Sequence, residues 1–203
     1  MSQKNNLPRA FEAAASFIVD KCYSEGLYVE MLEQMADDFS QLKHSQQPDA
    51  ALIIENMLFE IAKNNADTGC LAALRLHNNV ASFREYAVEV MIPCLTNLSA
   101  TNNSDALKMA LLVYTSAPDN TPAEKMALEV LPGLAVTYAL LCGSAIETKR
   151  LIGEALSGKK DESRYRTLME VCQSELQIYC PYVGPPHARS ATLNNGPRRA
   201  DLT

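Results

Sequence analysis

Apolar side chains recur three and four positions apart along most of the chain, and stretches that alternate apolar with polar are scarce. That spacing lines one face of a helix, so the pattern predicts an all-α protein. Between residues 27 and 44, Tyr28, Met31, Leu32, Met35, Phe39 and Leu42 keep the spacing and Glu30, Glu33, Asp37 and Asp38 fall outside it. This is the clearest amphipathic helix in the sequence. Before it, a helix over residues 8–24 opens at Pro8, gathers Phe11, Ala14, Ala15, Ile18 and Cys22 on one face, and closes at Gly26, which suits a left-handed cap. After it, Pro48 opens a helix whose Ile53, Ile54, Met57, Leu58, Phe59 and Ile61 surround nearly the whole cylinder, which demands burial from several sides. A shorter helix follows Asn64-Asn65, capped by Asp67 or Thr68, carrying Cys70, Leu71, Leu74 and Leu76 and ending near His77-Asn78-Asn79.

The second half is punctuated by start and stop chemistry. Ser82 with Glu85 has the spacing of a capping box, and the helix it would open carries Tyr86, Val90 and Cys94, with Pro93 predicting a kink or break. Residues 96–103 (TNLSATNN) are polar and turn-prone and read as a surface loop. Ser104-Asp105 begins a helix through Leu107, Leu111, Leu112 and Tyr114, stopped by Ala117-Pro118-Asp119-Asn120. Thr121, Pro122 and Glu124 then supply an N-cap, a first-turn proline and a capping carboxylate together, the strongest local signal in the chain. That helix ends at Gly143, and Ser144 with Glu147 opens the next with almost no linker, so the two should pack as neighbours. A last helix from about Asp161 to Cys180 aligns Tyr165, Leu168, Met169, Cys172, Leu176 and Tyr179 until Pro181 closes it. The expectation is a single compact bundle of about eight to nine helices over residues 1–180. Residues 181–203, with four Pro, two Gly and three Arg, are expected to be a disordered tail.

Composition narrows the function. At 203 residues and 47% hydrophobic, the chain can fill one globular core. Its net charge is −6, and since residues 181–203 carry +2, the helical body carries −8. An acidic body has no field to hold phosphate backbones, which argues against nucleic acid as a partner. The six cysteines form no CxxC pair and read as reduced, mostly buried thiols. Glu12 and Asp20 interrupt the N-terminal apolar stretch too early for a signal peptide. The most apolar window, Met126 to Cys142, contains Glu129 and Pro132 and falls short of the roughly 20 residues of a membrane span. A cytoplasmic protein without a membrane span is the expectation. No repeat stands out, because the residues around Cys22 and Cys70 do not match those around Cys94 and Cys142 at the same separation.

Candidate chemistry is thin. Zinc would need two closely spaced ligand pairs, and a di-iron bundle would need Glu-x-x-His; neither pattern occurs, and no metal or other cofactor is expected. Cys70 and His77 share a helix but stand about 10 Å apart along its axis, beyond hydrogen-bond reach. Cys94 beside the Pro93 break would have free amides nearby to favour a thiolate, against the plainer reading of a small buried side chain. His44 and His77 fall near helix C-termini, where the dipole favours a cationic ring, and His187 lies in the tail. Glu85 with Glu89, and Glu124 with Glu129, read as solvated helix faces. Phosphate loops and nucleophile elbows are missing, so no catalytic residue is assigned and no enzyme is expected. What remains is surface chemistry. Glu30, Glu33, Asp37 and Asp38 edge the Met31 and Met35 stripe of the second predicted helix, and methionine adapts to varied partner shapes. If that stripe is partly uncovered, it is a groove for an amphipathic helix with basic flanks.

From MSQKNNLPRAFEAAASFIVDK onward, in size, acidity and helix content, the chain resembles the LvgA-type adaptor subunits of the Dot/Icm type IV secretion coupling complex. The resemblance implies a cytosolic, non-catalytic adaptor or chaperone that joins other adaptor subunits on the tail of the coupling ATPase and helps present effector proteins for export. Two further readings stand beside it. One is a small helical enzyme or ligand-binding bundle with its pocket near the Pro93 break and the 126–142 helix. The other is a translocated effector with the tail as export signal.

Overall fold

Helix follows helix with few residues between. In the computed structural model, the described residues are 13–18, 20, 27–142, 144–157 and 162–179, and every regular element among them is helical. The order is α1 (13–18), α2 (Leu27–Ser40), α3 (Gln47–Asn64), α4 (Ala66–Asn79), a 3₁₀ turn (Ala81–Phe83), α5 (Arg84–Thr101), α6 (Asn103–Ser116), α7 (Pro122–Cys142), α8 (Ala145–Leu156) and α9 (Glu162–Tyr179). The all-α expectation is met. The predicted tail, the Gly26 cap, Cys22 and Cys180 lie outside the described residues.

The internal contacts gather the chain into two compact units, Met1–Leu134 and Ala135–Thr203. The division falls inside α7, just past Pro132-Gly133, where proline removes one helical hydrogen bond and glycine presents no side chain to pack.

In the first unit α4 is the central packing element, lying against α5, α3, α2 and α6. Its Ala72, Ala73, Leu74 and Leu76 are buried, and small residues let neighbouring helices come close. Gly69 marks the tightest approach: a Cβ there would stand 2.5 Å from Ala62 Cβ and 2.7 Å from Ala62 Cα of α3. Phe39 of α2 meets Phe83 edge-to-face, with centroids 5.4 Å apart and planes at 83°, and Phe83 continues to Tyr86 at 5.6 Å.

Helix starts differ from expectation in instructive places. Proline opens α3 as expected. The cap of α4 is Asn65, whose side chain accepts from Thr68 N–H at 3.0 Å, instead of Asp67 or Thr68. Ser82 sits in the 3₁₀ turn and caps nothing, because α5 starts after Phe83 without a side-chain cap. α5 runs unbroken through Pro93 and through most of the predicted 96–103 loop, stopping at Thr101. Pro93 lies on the exposed side, where the carbonyl that loses its donor can be hydrated. Leu95 and Leu98 are buried and hold the polar stretch to the core, and Thr96 and Thr101 turn their hydroxyls back onto the Ile92 and Asn97 carbonyls. The break comes at Asn102, which caps α6 by accepting from Ser104 and Asp105 N–H.

In the second unit, Ser144 accepts from Glu147 N–H at 3.0 Å and opens α8, as its spacing predicted. The Glu147 carboxylate, expected to reach back to the cap, pairs with Arg150, which also holds Glu154. Ala139, Ala145 and Leu176 pack together with Val136 against them, and α8 lies against α9.

α7 is 21 residues long with a mean hydropathy of 1.4 over its most apolar window, so by length and composition it is long enough to cross a membrane, which the shorter apolar run in the sequence was not. Ala123, Met126, Ala127 and Leu131 are buried within the first unit.

Candidate functional site

The acidic and methionine positions of α2 divide between surface and interior. Glu33, Asp37 and Asp38 are exposed, Met31 is half-buried, and Glu30 belongs to α2 with its side chain outside the described part. Met35 is 3% exposed, packed inside with Leu32, Ala36 and Phe39. Half of the predicted groove is therefore core, because the apolar stripe of α2 closes onto the first unit. The acidic edge is already engaged: Glu33 meets Arg75 of α4 at 3.5 Å, and Asp38 accepts from Gln34 at 3.0 Å.

A groove does exist, one helix pair away. α1 and α3 bound a cleft of about 400 Å³ lined by Ala15, Ser16 and Asp20 on one side and Ile53, Asn56, Met57 and Glu60 on the other. Asn56, Met57 and Glu60 lie three, four and seven positions after Ile53, so the four form one stripe of α3. Ala15 and Met57 are buried and make the floor; Asp20, Asn56 and Glu60 are exposed and make the rim. Helical periodicity marked Ala15 and Met57 as apolar positions, but nothing in it says that these two helices, far apart in sequence, leave a gap between them.

The buried polar groups serve structure. His77 is fully buried at the end of α4, with Nε2 3.4 Å from Ala123 N–H and Nδ1 2.9 Å from Asn78 Oδ1. These partners assign a neutral ring whose Nδ1–H donates to Asn78 and whose Nε2 accepts from the first turn of α7. Burial pushes its pKa down, as does the nearby Arg84 cation, against Asn78 and Glu85, which favour the proton. The cationic ring expected at a helix C-terminus is thus a neutral acceptor at a helix N-terminus. Asn78 extends the junction by donating to Ser116 O of α6 at 3.1 Å, and Arg84 donates to His77 O at 3.3 Å. Glu124 reaches back to Asn120 N–H, at a residue with φ of 60°, one position before the Thr121 amide that a capping box would engage, and the Thr121 hydroxyl donates to Pro118 O at 2.7 Å. Glu55 Oε1 is buried without a hydrogen-bond partner, and its carboxyl is pushed up by burial and by Glu89.

The buried thiols among the described residues, Cys70, Cys94 and Cys172, are poorly suited to attack. Cys70 and Cys94 are buried near one another, and burial pushes both up, Cys94 to about 11. No helix break exposes amides to Cys94. Cys172 is also pushed up to about 11, by burial and Glu175, while the exposed Cys142 donates to Tyr138 O at 2.8 Å. Among the described residues no three His, Cys, Asp or Glu converge as a metal site.

Ten large apolar side chains stand in solvent among the described residues, and five of them fall in the shorter second unit. Leu140 and Leu141 at the end of α7, Ile146 at the start of α8, and Ile178 and Tyr179 at the end of α9 are 56–68% exposed. Each lies one to three positions along its helix from Ala139, Ala145 or Leu176, the residues that pack together. Comparison with protein families, with characterised proteins and with solved structures yields no match to this chain.

Proposed function

We propose that this chain is a non-catalytic adaptor that works by binding other proteins. The observation that supports it best is the set of exposed apolar side chains around the ends of α7, α8 and α9. A scattered exposed leucine needs no explanation, but five large apolar residues exposed within three positions of one small packed cluster leave apolar area in water that a protein partner would cover. Its surroundings fit a protein contact, with Arg150 on α8 supplying the polar margin.

The particular assembly comes from the whole-chain resemblance in size, acidity and helix content. On that basis the chain is a cytosolic subunit of a type IV secretion coupling complex, with other adaptors, the coupling-ATPase tail and effectors as its partners, and with α7 serving as a core helix. The test is a native-extract pull-down with the full chain, read by mass spectrometry and paired with light scattering of the purified protein. Discrete stoichiometric partners, coupling-complex subunits among them, are expected. Leu141→Asp with Ile178→Asp, both at exposed positions, should remove those partners and leave the helical circular-dichroism signal intact. A monomer that retains nothing overturns the adaptor reading, and a full set of partners on the double variant overturns the contact surface.

A further inference from the structure

The cleft between α1 and α3 has a composition and shape that select an occupant. Its floor, Ala15 with Met57 and the half-buried Ile53, is apolar, and among the described residues its lining holds two carboxylates, Asp20 and Glu60. The stripe from Ile53 to Glu60 extends about 10 Å at 1.5 Å per residue, or two helical turns. Apolar surface stands beside the rim, because Phe17, three positions before Asp20, and Leu52, four before Asn56, share those residues' helix faces and are 45% and 57% exposed. A small molecule seated among the lining residues would leave those two side chains in water, whereas a helix laid along the trough covers them.

We infer that the α1–α3 groove seats an amphipathic helix of a partner protein, with leucine-like anchors on the Ala15–Ile53–Met57 floor and Lys or Arg facing Asp20 and Glu60. Glu60 pairs with Lys63 on its own helix, both side chains being half or more exposed, so an incoming cation displaces a weak surface contact. Recognition is by apolar anchors at helical spacing, with charge setting the sign of the flanks. The inference rests on the adaptor reading only in taking the occupant to be a protein segment, and it concerns a different surface from the one around α7 to α9.

The probe is a helical peptide of roughly 14 residues, about four turns, with leucine on one face and lysine on both margins, beside a counterpart carrying glutamate on those margins. Binding to the full chain is followed by fluorescence anisotropy and by the methyl resonances of Ile53 and Met57. The lysine peptide should bind, move both methyls, and exceed the glutamate peptide by about fivefold to tenfold. Asp20→Lys with Glu60→Lys, both at exposed positions, should invert that preference. Equal binding of the two peptides, binding that leaves the methyls unmoved, or methyl shifts that follow dimerisation of the chain itself would overturn the inference. The same variant in the pull-down separates the readings. Native partners kept by the variant dismiss the groove alone, whereas the adaptor reading falls only if the wild-type chain retains nothing.

Discussion

Gly69 and Gly153 both lie inside helices, yet only one is required there. A Cβ at Gly69 would drive into the α3 backbone at Ala62, whereas a Cβ at Gly153 meets nothing within 4 Å. Gly69→Ala should therefore lower stability by about 1–3 kcal/mol through overpacking, and Gly153→Ala should raise it by about 0.5–1 kcal/mol through helix propensity. Urea unfolding of the two variants checks both signs. His77 gives a pH prediction. Its folded pKa lies below the ordinary value of about 6.5, so below that pH the unfolded chain binds a proton that the folded chain refuses. The unfolded state then holds more protons, and stability falls as pH drops under about 6.5. Glu55, pushed up, acts with the opposite sign, taking up its proton more readily when folded, so the His77→Gln variant is the control that isolates the ring. Its urea midpoint should lose the part of the acid sensitivity that His77 supplies. A wild-type profile superposable on that of the variant would remove His77 as the source.

Helix ends show which sequence signals carry force. Asn65, Asn102 and Ser144 accept backbone N–H groups in the first turns of α4, α6 and α8, while Ser82, with equal claim on paper, does not. Alanine at Asn102 or Ser144 should cost about 1 kcal/mol by thermal or urea unfolding, and Ser82→Ala should be near neutral. The all-α class and the starts at Pro48, Pro122 and Ser144 were legible because proline and serine act on the residues next to them. The TNLSATNN segment was misread because its polarity suggested a loop, while buried Leu95 and Leu98, interior to α5, pull it into the helix. The α2 stripe illustrates the same limit for the site. Periodicity identified Met31 and Met35 as apolar-face residues, but whether that face is covered depends on the packing of the first unit, which is set by residues elsewhere in the chain. The α1–α3 groove was invisible for the converse reason, since it is a gap in packing and carries no motif.

At the scale of the molecule, the two compact units differ in how they are held. The first buries Phe39, Phe83, Ile54, Leu58, Ile61, Met91, Leu107 and Leu111 nearly completely around α4 and α5. The second, about half as long, buries Ala139, Ala145, Ile152, Leu156, Leu168, Cys172 and Leu176 among its described residues and leaves five large apolar side chains in solvent. Burial of apolar area contributes about 25 cal/mol per Å², so the unit that buries less of it opens at lower free energy. Native-state hydrogen exchange should accordingly show the slowest amides in α4 and α5, and α8 and α9 exchanging through an opening well below the global unfolding free energy. A binding partner that covers Leu140, Leu141, Ile146, Ile178 and Tyr179 supplies the missing burial, so it should slow exchange in α8 and α9 far more than in α4 and α5. Uniform protection across both units in the free chain would show that they unfold as one. Protection by the partner confined to α1 and α3 would instead move the principal contact to the groove, and the adaptor would be held through its first unit.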